Sequence, residues 1–322
     1  MYNDEPQCED EATAKGAPRE EREFTCWSGS KGIYRPAGPS IQRLPSGIWS
    51  ADSDQKGLYL ERMDFPSDKL LDLPGLPTKL ILDEIEKFWK RRDIFRKLGF
   101  LHKRGIMMCG PGGSGKTSII RMICTDIIGR DGIALVVSNI PNTIVALSAL
   151  RQIEPERPLV TVTEDLDEYF KPEQNPKQIL SMYDGENQVD DVVHIATTNF
   201  PERLEERIIQ RPSRFDLILC LGTPVEAARE AYLRHILGKE LPEDEFRAIV
   251  RDTKGLSLAH LKEFVVSTVC LGAERGYTLA RLKSNMKKIP SLKQGGMGFH
   301  NSGEGFSVHY YESDKKAASA PD

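Results

Sequence analysis

The stretch Gly110-Pro111-Gly112-Gly113-Ser114-Gly115-Lys116-Thr117 meets the spacing GxxxxGK[ST] at every fixed position. Residues of these types suit the holding of a polyphosphate. Glycines let backbone N–H groups approach the phosphates, a lysine adds a point charge, and a hydroxyl takes one position on a divalent cation. Gly110 to Thr117, with Ser118 next in line, are therefore assigned to a nucleoside triphosphate, and Thr117 also to Mg²⁺. Three later positions extend the chemistry. Glu164-Asp165 closes an apolar run, Asn199 closes another, and Arg211 and Arg214 stand three apart in Gln210-Arg211-Pro212-Ser213-Arg214-Phe215-Asp216. An acidic pair after a strand is usually a solvated turn. Downstream of a phosphate loop it is where a cation and an attacking water are held.

The elements that must position these groups follow from pattern. Ile106 to Cys109 reads as a buried strand and Ser118 to Cys124 as the first turns of a helix, so the loop lies at a helix N-terminus, where free N–H groups and the helix dipole favour anions. Strands are expected at 132–138, 158–163, 192–197 and 217–221, with a helix at 143–152. The phosphate loop, the acidic pair and Asn199 each stand at the C-terminal end of one of these strands. From 225 to 289 the pattern is helical, including a helix at 257–274 that starts at Ser257 after Gly255. His194 lies inside an apolar strand and is expected to be a core histidine without a role.

The flanks differ from this centre. Residues 1–23 carry eight acidic and three basic groups without apolar periodicity, the composition of a disordered tail. Residues 24–75 contain Gly, Pro and Ser with short apolar pieces, which predicts a small β-rich N-terminal region. A helical stripe over 78–99 (Leu80, Ile81, Ile85, Phe88, Trp89, Phe95, Leu98) precedes the core at 76–224, the helical lid at 225–290 and a flexible tail at 291–322. Six scattered cysteines without a CxxC pair suit a reducing compartment. No run of eighteen apolar residues and no leader-like N-terminus appear, so a cytoplasmic protein without a membrane span is expected. The net charge of −4 speaks against general polyanion binding, although residues 87–104 are strongly basic.

In order and approximate spacing, Gly110–Thr117, Glu164-Asp165, Thr198-Asn199, Arg211 to Asp216 and Gly255 to His260 resemble the AAA family of ATPases over about residues 76–275. The resemblance implies an α/β fold, a P-loop NTPase three-layer α/β/α sandwich with a parallel five-stranded sheet in the order 5-1-4-3-2 and a small helical lid. It implies a ring of identical subunits, a hexamer or heptamer. It gives Asn199 the sensor position and makes Arg211 and Arg214 the fingers that reach a neighbour's nucleotide. It also brings Ala259 and His260 of the lid to the nucleotide.

The sequence departs from that family twice. Its acidic pair runs Glu-Asp rather than Asp-Glu, and two registers are open. One puts Glu164 on the Mg²⁺ and makes Asp165 the base that activates water, keeping Asp167 as the third acid; the other leaves Thr163 at the metal and Glu164 as base. The first is preferred because it keeps every carboxylate in place. After the second strand, Ser138 to Thr143 has no aromatic where threading motors carry one. Both features are similar to the branch of the mitochondrial Rieske-protein translocase and its bacterial and phage-encoded relatives. The expected function is an ATP hydrolase that remodels or moves a protein or protein complex. The rivals are a nucleotide-gated oligomeric scaffold with slow hydrolysis and a DNA-directed loader or remodeller, the latter carried only by residues 87–104.

Overall fold

The computed structural model describes residues 26–30, 33–37, 41–64, 70–171, 175–204, 208, 213–238, 241–288 and 304–309. The expected tail 1–23 and most of 291–322 lie outside the described residues, as does Arg211. Two compact units are separated at Leu44/Pro45. The first contains an antiparallel hairpin of β1 (Cys26–Ser30) and β2 (Ile33–Ala37).

The second unit is built on the strands expected from the apolar runs: β5 (Lys103–Cys109), β6 (Ile133–Val136), β7 (Leu159–Thr163), β8 (Val192–Thr198) and β9 (Leu217–Leu221). Nearly every residue of these strands is buried, as a parallel sheet covered on both faces requires. They pair in parallel in the order β9-β5-β8-β7-β6, which is 5-1-4-3-2 counted along the chain.

The α/β class holds, but the sheet is larger than the expected five strands. β3 (Gly47–Asp54) adds to β6 in parallel, β4 (Gly57–Met63) turns back on β3, and β10 (Phe306–His309) runs antiparallel on β9, giving eight strands among the described residues. The physical cause for β3 is its first half. Ile48, Trp49 and Ala51 are buried against the sheet, while Asp52 to Asp54 emerge into solvent. Part of the region expected at 24–75 thus continues the core sheet, and a four-residue piece of the region expected as a tail is paired to it.

Helices α1 (Thr78–Lys90), α2 (Arg92–Leu98), α3 (Lys116–Gly129), α4 (Ile140–Ile153) and α5 (Pro176–Asp184) accompany these strands. The stripe expected over 78–99 is interrupted at Arg91. Ile81, Ile85 and Phe88 are buried in the core, whereas Leu98 lies mostly exposed on the separate α2. The basic groups of this region are largely paired within the molecule. Arg92 and Arg96 meet Asp191, Arg104 meets Glu84 and Asp216, Lys87 meets Glu84, and Lys90 meets Glu86.

The lid is a separate apolar cluster carried by α6 (Glu226–Leu237), α7 (Glu243–Asp252), α8 (Leu258–Val265) and α9 (Arg275–Lys288). The single helix expected at 257–274 stops at Val265, passes through a π turn at Val266–Cys270 and ends before Gly272, whose φ of 69° falls in the left-handed region. Ser257 caps α8 as expected, accepting from the His260 N–H at 3.4 Å.

Candidate functional site

β5 ends at Cys109 and α3 begins at Lys116, so the intervening loop lies across a helix N-terminus. Two of its glycines cannot be replaced without movement. A Cβ on Gly110 would lie 2.3 Å from the Leu221 carbonyl oxygen, and one on Gly113, at φ 77°, would lie 2.6 Å from the Ala259 Cβ and 2.8 Å from the Ser257 Oγ. The loop is thus packed on β9 at one end and on the lid at its middle. The Leu258 N–H donates to the Gly113 carbonyl at 3.0 Å.

Lys116 is the electrostatic centre. Its Nζ donates to the Gly110 carbonyl (2.7 Å), the Pro111 carbonyl (3.1 Å) and the Asn199 Oδ1 (2.8 Å), with the Ser114 Oγ at 3.5 Å. Only 7% of it is exposed. Burial lowers its pKa from 10.5 to about 8, against the opposing pull of Asp165, Cys109, Asp167 and Glu164.

Asn199, at the end of β8, joins this lysine to the acidic pair. Its Oδ1 accepts from Lys116, and its Nδ2 donates to the Asp165 Oδ1 at 2.7 Å. Partners of opposite character fix which way the amide faces. The Asp165 N–H also lies 3.3 Å from the Thr197 Oγ1, and its backbone is left-handed (φ 47°, ψ 54°). That turn sets the two carboxylates apart. Glu164 goes to Thr117, whose Oγ1 donates to its Oε2 at 3.1 Å, and Asp165 goes to Asn199. Asp167 is buried, accepts from the Thr198 Oγ1 at 2.6 Å, and lies 3.6 Å from the Arg203 Nη1.

The Thr117 and Glu164 oxygens suit Mg²⁺. Oxygens on adjacent corners of an octahedron with ~2.05 Å bonds lie about 2.9 Å apart, close to the 3.1 Å observed. Mg²⁺ takes one or two such ligands and completes its shell with phosphate and water. Among the described residues no group of three or more His, Cys, Asp or Glu side chains is placed to hold a metal.

A cavity of about 640 Å³ opens over the loop, within the range of small-molecule sites. Gly112, Gly113, Gly115, Lys116, Thr117, Ser118, Glu164, Asp165, Asn199 and Ala259 of the expected set line it. His260 does not; its Nδ1 turns to the Ser257 Oγ at 2.7 Å. Leu70, Leu71, Leu73 and Leu76 form an apolar wall that carries no motif, and Tyr232 and Ile236 of α6 face it from the lid. The one available signal was a run of leucines without helical period just ahead of α1.

Arg214 is held within its own subunit. Its side chain is only 5% exposed and its Nε donates to the Asp184 Oδ2 at 2.7 Å, so here it ties the β9 approach to the end of α5. His194 behaves as a core residue. It is buried, its Nδ1 meets the Thr161 Oγ1 at 2.7 Å, and burial lowers its pKa to about 3.

Comparison with known proteins agrees with this geometry. Residues 106–223 match the family described as "ATPase family associated with various cellular activities (AAA)". The chain is 28% identical over 247 residues to an ATP-dependent zinc metalloprotease FtsH 2 of Symbiobacterium thermophilum, covering 70% of this chain and 42% of that protein. It is 30% identical over 231 residues to an ATP-dependent zinc metalloprotease FtsH 1 of Sphaerobacter thermophilus, covering 65% and 35%. It is likewise 30% identical over 233 residues to an ATP-dependent zinc metalloprotease FtsH of Chloroflexus aggregans, covering 66% and 35%. The chain thus spans well under half the length of these relatives. No described helix is long and apolar enough to cross a membrane.

Proposed function

We propose, for a chain that carries an AAA ATPase domain, that it hydrolyses Mg·ATP within a ring of six or seven identical subunits and uses the cycle to remodel or move a protein or protein complex. The observation that carries the catalytic part is Asn199, bonded to Lys116 on one side and to Asp165 on the other. In this reading Lys116 grips the phosphates, and Thr117 and Glu164 hold Mg²⁺, which offsets phosphate charge when bound. Asp165 accepts the proton of the attacking water, and Asn199 keeps that carboxylate in place and orients the water beside the γ-phosphate. The separation of Glu164 and Asp165 onto different partners supports this division of labour over the register that makes Glu164 the base.

Arg211 completes the site from the neighbouring subunit. The burial of Arg214 against Asp184 supports a bracing part for it and favours Arg211 as the finger. Ala259 and the start of α8, resting on Gly113, couple the lid to the loop. The cargo-moving reading is supported by the ATP-dependent relatives and, within the family, by the likeness to the Rieske-translocase branch, with a cytoplasmic setting. The pairing of the basic residues of 87–104 with carboxylates weighs against a DNA-directed role.

Asp165→Asn tests the assignment. Losing a positioned base lowers turnover by about 10²- to 10⁴-fold while ATP binding persists, and the trapped complex should retain its protein partner in a pull-down. Normal hydrolysis by this variant would overturn the register. A slow-hydrolysing scaffold is the second reading, favoured by the short aspartate in the base position. A ring that assembles on ATP while wild-type turnover stays at the Asp165→Asn level would select it.

A further inference from the structure

We propose that Cys109 and Cys220 form an oxidation site at which hydrogen peroxide converts two thiols into a disulfide and thereby disables the nucleotide loop. The two residues are direct register partners on the neighbouring parallel strands β5 and β9, and their sulfurs lie 3.7 Å apart in S–H···S contact. Strands in a sheet are about 4.8 Å apart, inside the ~4.4–6.8 Å Cα separation that a disulfide spans. The bond therefore needs only local movement. Both cysteines are free thiols; Cys109 is buried and Cys220 half-buried.

The pair divides the chemistry. Cys109 is held protonated, its thiol pushed up by its hydrogen bond to Cys220 and by burial, while the same hydrogen bond lowers Cys220. Cys220 is thus the first thiolate and the more accessible sulfur. Its sulfur attacks one peroxide oxygen, the O–O bond breaks, and the departing hydroxide takes up a proton to become water. The resulting sulfenic acid is then attacked by the Cys109 sulfur. The S–S bond forms, the S–O bond breaks, and a second water leaves with the Cys109 proton. Two thiols and one peroxide give one disulfide and two waters.

The loop lies next to this bond in sequence and in space. Cys109 precedes Gly110 and Cys220 precedes Leu221, and the Gly110 Cα faces the Leu221 carbonyl with no room even for a Cβ. The Gly110 carbonyl is also a hydrogen-bond acceptor for Lys116 at 2.7 Å. Drawing the sulfurs from 3.7 Å to about 2.05 Å therefore displaces the start of the loop and the lysine it seats. Misplacement on the ångström scale costs roughly a hundredfold in turnover.

The consequence for turnover rests on the ATPase reading above, whereas the bond itself does not. The test treats the full chain with hydrogen peroxide, blocks remaining thiols and maps tryptic peptides without reduction. The peptides 105–116 and 215–229, each with one cysteine, should appear linked, with turnover lost and then restored by dithiothreitol. Cys220→Ser should keep its turnover through the same treatment. Exposed Cys270, on peptide 263–275, reports that the oxidant acted. Oxidised Cys270 with 105–116 and 215–229 unlinked would overturn the proposal, as would equal inactivation of wild type and Cys220→Ser. The peptide map needs no turnover, so an inactive wild-type protein would count against the ATPase reading, and linkage alone would then decide the oxidation site.

Discussion

ATP affinity should break with pH near 8, because the lysine that must meet the phosphates is buried in a place that disfavours its charge. In the free protein Lys116 titrates at about 8 rather than 10.5. Below that it is charged and ready. Above it, binding must first return a proton, at about 1.4 kcal/mol, or tenfold in affinity, for each pH unit. From pH 7 to 9.5 the dissociation constant should therefore rise by roughly thirtyfold. The bound polyphosphate stabilises the ammonium, so the break belongs to the free protein and not to the complex. For folding, the sign is opposite to that of a salt-bridged lysine. A folded pKa below the unfolded one means a penalty that is present below about pH 8 and relieved as the pH rises toward 10.5, of the order of 3 kcal/mol in all.

The assay is a fluorescent-nucleotide titration at fixed Mg²⁺ from pH 7 to 9.5, repeated on two variants. Lys116→Ala should bind weakly with no break. Asp165→Asn should move the break to lower pH, because Asp165 is the leading charge that raises Lys116 against burial. An affinity that stays flat to pH 9.5 in the wild type, or the same slope in Lys116→Ala, would refute this electrostatic picture.

Three further outcomes can be checked. Gly113→Ala should undock the lid by driving a Cβ into Ala259 and Ser257 from a left-handed backbone; a loss of about 2 kcal/mol and faster hydrogen exchange over 258–265 are expected. Thr198→Val removes the hydroxyl that donates to buried Asp167 and should cost about 2–3 kcal/mol in urea unfolding. Arg214→Ala should destabilise the single subunit by about 3 kcal/mol, since it removes the buried Nε–H that donates to Asp184, whereas Arg211→Ala should depress turnover only in the assembled ring.

What was legible in the sequence follows from where the information lies. The five central strands could be placed because each is a short, mainly apolar run, and the phosphate loop, Glu164-Asp165 and Asn199 stand at the ends of three of them, so one residue of punctuation locates the chemistry. β3 could not be joined to the sheet in advance. Its apolar half is only Ile48 to Ala51, and its partner, β6, lies more than eighty residues away, so the pairing is decided by what the sheet edge leaves uncovered. β10 is four residues in a Gly- and Ser-rich stretch and has no period to detect. The division of α1 from α2 at Arg91 left the hydrophobic stripe looking continuous because Phe95 still packs on Phe88 across the break.

The site was legible as a list and not as a set of partners. Glu164 and Asp165 are neighbours in sequence, and their types alone permit either register. What separates them is the left-handed turn at Asp165, which sends one carboxylate to Thr117 and the other to Asn199. The same holds for Arg211 and Arg214, which look equivalent in the motif. What distinguishes Arg214 is Asp184, thirty residues upstream, which accepts from its Nε. Removing Asp184 is thus the informative perturbation. If Asp184→Asn freed Arg214 to act across the interface, turnover in the ring would survive Arg211→Ala; if Arg214 is only a brace, it would not.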